Sequence, residues 1–147
     1  MARVIFVGKT GAGKTTLIQN LKREEIVYKK TQATEYYGNL IDTPGEYLEN
    51  PRYYNALITL SFDADIIALV QDMTSEESYF PPGFGDMFNI KVVGILTKSD
   101  MRMSETGEAN HQRARRYLVD AGASEIYEVS ACTNQGMDAL LEGLQKK

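Results

Sequence analysis

Short apolar runs alternate with helical patterns along the chain: 4–7, 15–21, 40–41, 53–60, 66–70, a broken middle, 92–96, 109–121, 126–129 and 137–144. The runs at Val4, Ile66 and Val92 are nearly continuous in apolar residues, as strands buried on both faces should be. Around Ala114 the period changes. Ala114, Tyr117, Leu118 and Ala121 fall at i, i+3, i+4 and i+7, while Gln112, Arg113, Arg115, Arg116 and Asp120 lie mostly elsewhere, which predicts a helix with one buried stripe and one wet face. Strands alternating with helices predict a mostly parallel sheet covered on both sides. Between Gln71 and Lys91, Pro81-Pro82-Gly83 interrupts any helix and predicts a short helix, a rigid loop and a second turn. No internal repeat or low-complexity tail is present.

Composition narrows the class. A chain of 147 residues, 43% hydrophobic and 24% charged, predicts a single compact domain over residues 1–147 with a sizeable core. A net charge of −4 argues against a general nucleic-acid or anionic-membrane surface. No apolar run approaches the ~20 residues that span a bilayer. A first strand starting near Arg3 leaves no space for a targeting peptide, so the expectation is a cytoplasmic protein. One cysteine, Cys132, excludes an internal disulfide, and one histidine, His111, leaves too few soft ligands for zinc. Any metal is then expected to be a hard, oxygen-bound ion such as Mg²⁺.

Candidate chemistry begins directly after the first strand. Gly8-Lys9-Thr10-Gly11-Ala12-Gly13-Lys14-Thr15, followed by Thr16, matches the phosphate-binding pattern G-x-x-x-x-G-K-S/T between a strand and a helix. Glycines let the backbone fold over phosphates, the helix N-terminus adds partial positive charge, Lys14 adds a full one, and Thr15 offers its hydroxyl to Mg²⁺. At the end of the third run stands Asp42-Thr43-Pro44-Gly45, where a carboxylate can hold Mg²⁺ through water and the Gly45 N–H can approach the terminal phosphate. Thr97-Lys98-Ser99-Asp100 resembles the N/T-K-x-D motif that reads guanine: Asp100 would accept from N1–H and the 2-amino group, and the Lys98 stem would cover the ring. Ser130-Ala131-Cys132 resembles the loop whose backbone N–H meets the guanine 6-oxo group. All these segments end strands, where doubly wound sheets bind ligands. They predict a GTP or GDP site, with the degree to which ATP is admitted left open.

This constellation resembles the translation-factor-related small GTPases over nearly the whole chain. A closer resemblance lies in residues 28–33 (Tyr28-Lys29-Lys30-Thr31-Gln32-Ala33), 41–50, 68–72 and 80–84, which are similar to the EutP/PduV family of bacterial ethanolamine- and propanediol-utilisation proteins. The resemblance implies a three-layer, Ras-like P-loop NTPase fold with a mostly parallel six-stranded sheet. It also implies association with a bacterial microcompartment, and nucleotide-dependent acetate or acyl-phosphate chemistry. By the same resemblance Thr31 is the switch threonine that completes the Mg²⁺ shell beside Thr15 and Asp42, with Thr34 its rival by spacing. Only eleven positions separate Thr31 from Asp42, so the usual edge hairpin must shrink to Thr34–Tyr36, a turn at Gly38-Asn39, and an arm at 40–42.

Catalysis is less conventional. Glu46 stands where Ras-like hydrolases place a water-positioning glutamine, and an anionic side chain facing an anionic phosphate predicts slow hydrolysis, on the order of 10⁻⁴ s⁻¹ or below. The expected catalytic set is Lys14, Thr31 and Glu46. Thr10 crowds the path of a trans-acting arginine, and Gly11 stands where potassium-activated relatives carry asparagine. Lys29 and Lys30 could supply charge from the switch itself, and Arg23 and Arg52 are further basic candidates. Tyr36, Tyr37, Tyr47, Tyr53 and Tyr54 read either as edge packing or as a partner surface, and Gln112–Arg116 as a solvated face or a grip on an acidic partner. Phe80-Pro81-Pro82-Gly83-Phe84 reads as a docking loop for shell or enzyme proteins or as a cap on the core. No nucleic-acid or membrane partner is expected, and the assembly is expected to be a monomer or a nucleotide-dependent dimer. Two rival functions remain: a nucleotide-dependent acetate kinase of the same pathway, and a nucleotide-stabilised scaffold without turnover.

Overall fold

A computed structural model describes residues 2–9, 11–22, 39–103, 105–130 and 133–145. Thr10, Arg23, Lys29, Lys30, Thr31, Thr34, Tyr36, Tyr37, Gly38, Ala131 and Cys132 lie outside the described residues.

Five described strands form one sheet in the order β2-β1-β3-β4-β5, and every neighbouring pair is parallel. They are β1 (Val4–Val7), β2 (Leu40–Asp42), β3 (Ile66–Asp72), β4 (Lys91–Thr97) and β5 (Glu125–Glu128). All four residues of β1 and all seven of β3 are buried, which is why 4–7 and 66–70 read as unbroken apolar runs rather than as alternations; β3 then ends in the buried polar Gln71 and Asp72. Of the expected edge hairpin, the arm at 40–42 is β2, while the sixth strand at 34–36 that would pair with it lies outside the described residues.

The two faces carry separate cores. On one, Leu17, Ile18 and Leu21 of α1 (14–22) and Met137, Leu140 and Leu144 of α5 (Met137–Gln145) pack on Val4, Phe6, Ile66, Ala68, Val93 and Ile95. On the other, Leu57 of α3 (Tyr54–Ser61), Ala114 and Leu118 of α4 (Gly107–Asp120) and Ala121 at its C-cap pack on Ile5, Val7, Ile67, Leu69 and Leu96. Even and odd strand positions thus go to opposite cores, as a period of two requires. Of the predicted stripe Ala114, Leu118 and Ala121 are buried and Tyr117 is half-buried, its hydroxyl donating to Glu76 O at 2.6 Å, while Gln112, Arg115 and Arg116 are exposed. A short α2 (Glu46–Glu49) and a 3-10 turn (Pro51–Tyr53) precede α3.

The middle differs from expectation. No helix precedes the prolines; Asp72 instead accepts from Thr74 N at 2.8 Å and Thr74 Oγ1 at 2.7 Å, a side-chain turn that competes with helix initiation. Phe80 and Phe84 are buried in a row of rings, Phe80–Phe84 at 5.4 Å and Phe84–Phe88 at 5.6 Å, with Tyr54 edge-on to Phe84 at 5.3 Å. The loop therefore caps the core through its phenylalanines and leaves only Pro81 and Pro82 exposed. Tyr47 stacks on Tyr53 at 5.1 Å.

Candidate functional site

The strands' C-terminal ends open into a cleft of about 530 Å³. Its floor is the turn from β1 into α1, contributing Lys9, Gly11, Gly13, Lys14, Thr15 and Thr16; the opposite wall is Asp42 to Gly45, after β2. The local folding is dictated by glycine. Gly13 has φ +88°, a conformation an L side chain resists, and a Cβ on Gly8 would lie 2.9 Å from the Val70 carbonyl oxygen. The register Phe6↔Asp42 sets the carboxylate beside the end of β1, and Thr43 Oγ1 donates to Phe6 O at 2.7 Å, pinning that strand end.

Lys14 is buried, and its Nζ donates to Asp42 Oδ1 at 2.5 Å and to Thr43 O at 2.6 Å. A cation and a carboxylate thus satisfy each other across the cleft. Among the described residues, no group of three or more His, Cys, Asp or Glu could hold a metal. Thr15 and Asp42 nevertheless bring two oxygen donors to one cleft, a set that suits a hard cation taking its other ligands from phosphate and water.

Gly13 and Thr16 are shared with a smaller pocket of about 220 Å³, lined also by Leu17, Thr97, Lys98, Asp100 and Val129. Three contacts shape it. Thr97 Oγ1 donates to Ala12 O at 2.6 Å, tying the loop after β4 to the glycine-rich loop. Ser130 Oγ donates to Asp100 Oδ1 at 2.9 Å, fixing that carboxylate. Lys98, at φ +62°, turns its Nζ onto Asp72 Oδ2 at 2.6 Å. Burial alone would raise the Asp72 carboxyl, but hydrogen bonds from Lys98 and Thr74 outweigh it and hold it below its ordinary value; the Asp72 bond in turn raises the Lys98 ammonium.

Glu46 opens α2 as an exposed residue, one position beyond the Gly45 wall. Arg52 is also exposed, with its guanidinium over the Tyr53 ring at 5.0 Å. Two residues of the site, Gln71 and Asp72, fell within the family resemblance at 68–72 but were given no role. Asp72 anchors Lys98; the available hint was a carboxylate ending a buried apolar run. Gln71, fully buried, donates to Glu77 O at 3.1 Å and accepts from Tyr79 N at 3.0 Å, fastening the loop after β3 to the sheet. Tyr79 lies beneath Lys9 Nζ, 5.3 Å from the ring centroid, and burial pushes its hydroxyl above the usual value.

A family model described as "Ethanolamine utilisation - propanediol utilisation" matches residues 1–146. The chain belongs to the PduV-EutP family. It is 40% identical over 150 residues to the propanediol utilization protein PduV of Citrobacter freundii, covering 100% of this chain and 95% of the relative. It is 35% identical over 147 residues to the probable acetate kinase EutP of Escherichia coli (strain K12), covering 98% and 89%. The probable acetate kinase EutP of Salmonella typhimurium is 37% identical over 148 residues, again covering 98% and 89%. The family links the chain to these two utilisation pathways. Among the described residues, no helix is long and apolar enough to cross a membrane.

Proposed function

We infer that this PduV-EutP family member is a Mg²⁺-dependent guanine-nucleotide-binding protein that hydrolyses GTP slowly in ethanolamine or propanediol utilisation. The observation that carries the reading is the Asp100 carboxylate, held by Ser130 at 2.9 Å in a pocket that shares Gly13 and Thr16 with a glycine-lined cleft at a helix N-terminus. Guanine presents two donors on one edge to such a carboxylate, and adenine offers none in that arrangement. The Lys98 stem, anchored by Asp72, covers the base, while Thr97 keeps the base loop and phosphate loop in register. Lys14 and the backbone N–H groups entering α1 hold the phosphates. Lys14 and Asp42, paired with each other in this structure, would then hold a phosphate oxygen and, with Thr15, the metal. Bound Mg²⁺ supplies charge neutralisation and orientation of the phosphate oxygens. Thr31 is the further ligand expected by family resemblance. Glu46, anionic and exposed, gives no ready means of positioning water, which supports slow turnover.

A second reading is favoured by the names of the EutP relatives, each a probable acetate kinase. In that reaction a carboxylate oxygen bonds to the terminal phosphorus as its bond to the bridging oxygen breaks. The nucleoside diphosphate leaves with the electron pair, and no proton moves. Turnover of GTP and ATP with and without acetate separates the readings. Slow, acetate-independent GDP release supports the hydrolase; acetyl phosphate formed at an acetate-dependent rate replaces it with the kinase; tight binding with no turnover reduces the protein to a nucleotide-stabilised scaffold.

A further inference from the structure

Lys9 marks one end of the glycine-lined cleft. The other end is marked by Gly13 and Thr16, which the cleft shares with the Asp100 pocket. Lys9 takes no part in that pocket; it borders instead an open cavity of about 360 Å³ on the side of α2, with Leu48, Glu49 and the chain at 78–81. The polarity of a bound nucleotide follows. With its base beside Asp100, its phosphates run past Gly13 and Lys14, and the last of them comes to the end where Lys9 faces the wall that leads into α2.

The Lys9 ammonium is held there without being neutralised. Lys9 is half-buried, and its Nζ lies 5.3 Å from the Tyr79 ring centroid, a contact that orients a cation but offers it no opposite charge. Among the described residues no carboxylate forms an ion pair with it, whereas Lys14 is already satisfied by Asp42 and Thr43 O. The ring is itself fastened. Tyr79 packs on both cores, and its N donates at 3.0 Å to Oε1 of Gln71, which is fully buried.

We propose that Lys9 recognises the terminal phosphate of a nucleoside triphosphate, with Tyr79 the positioning residue that keeps the ammonium at that end of the cleft. The assignment rests on the nucleotide reading above and deepens it, because it says which side chain tells a triphosphate from a diphosphate. Lys14 and the backbone N–H groups entering α1 serve both nucleotides. A diphosphate ends one phosphate short of Lys9. The charge comes from the same chain, so recognition needs no second copy.

The test titrates the full chain, in Mg²⁺, with a non-hydrolysable GTP analogue, the matching ATP analogue and GDP, and repeats this on Lys9→Met, Lys9→Arg and Tyr79→Leu. Losing a charge-assisted hydrogen bond in Lys9→Met should weaken the GTP analogue about tenfold or more and GDP less than about twofold. Lys9→Arg keeps the charge and should recover most of that loss, a rescue that a purely structural stem would not need. Tyr79→Leu removes the ring face outside the phosphate loop and should weaken the analogue about threefold with GDP little changed, a readout that stands even where Lys9→Met does not fold. Equal losses for analogue and GDP, or no loss for the analogue, would overturn the proposal and leave the nucleotide reading intact. Analogue affinity that depends on chain concentration would place the charge in a second copy and overturn recognition within one chain. ATP and GTP analogues bound alike, both with the loss confined to the triphosphate in Lys9→Met, would uphold Lys9 and refute the guanine reading.

Discussion

Thr97→Val isolates the contact that couples the two halves of the site. The substitution keeps the branched shape and removes the hydroxyl, so it opens no cavity; what disappears is the 2.6 Å bond to Ala12 O, between a threonine 5% exposed and an alanine fully buried. Losing a buried hydrogen bond while leaving its acceptor in place costs about 1–3 kcal/mol. For a chain of this length each kcal/mol lowers the melting temperature by about 2–4 °C, so the expected fall is about 2–12 °C. Because the bond joins the phosphate loop to the base loop, GTP affinity should drop as well, by about tenfold if ~1.4 kcal/mol of that coupling is felt by the ligand. Thr97→Ser keeps the donor and should retain most of both quantities. Thermal denaturation of the three proteins, with GTP titration on each, reads the comparison. Thr97→Val matching wild type in melting temperature and in affinity would refute the coupling.

Asp72→Asn tests the Lys98 anchor. Because the folded Asp72 carboxyl lies below its ordinary value of 3.8, the pair contributes stability that is fully present above that value and is lost as pH falls through the lowered one. The stability difference between wild type and Asp72→Asn, measured by denaturant titration, should therefore be constant from pH 5 to 8 and vanish in acid; a difference independent of pH would contradict the assignment. Gly13→Ala should cost about 1–2 kcal/mol from its positive φ alone, since the added methyl would meet Thr97 only at an ordinary 3.7 Å, and chemical denaturation checks the figure. Glu46→Gln should raise single-turnover GTP hydrolysis by removing the charge opposed to the phosphate; unchanged or lower turnover would remove that charge as the cause of slowness.

How much of this was legible in the chain follows from what each residue touches. The glycine-rich loop was readable because its constraints are local: a strand, a positive φ and a helix start within one stretch. Asp100 and Ser130 were readable as separate motifs, and their 2.9 Å contact is what the parallel order of β4 and β5 brings about. Asp72 and Gln71 stood in the stretch 68–72 that carried the family resemblance, but their roles were not readable, because their partners come from the loops after β4 and β3 and no spacing announces such a pairing. Lys9 was read as one more position of the phosphate loop, and only the placement of the Tyr79 loop gives it a second cavity. The turn at Asp72 displaced the expected short helix because a side-chain acceptor two residues before Thr74 outcompetes helix initiation, a balance invisible to apolar periodicity.

The measurement that bears most directly on the central claim is a Mg²⁺-dependent titration of the full chain with GTP, GDP and ATP, repeated on Asp100→Ala. Losing a carboxylate that accepts two hydrogen bonds should cost guanine nucleotides about 3 kcal/mol or more, over a hundredfold, and leave ATP nearly unaffected. Wild-type preference for GTP and GDP over ATP, erased in Asp100→Ala, is the predicted result. Equal affinity for GTP and ATP, or guanine affinity unchanged by the substitution, would contradict it.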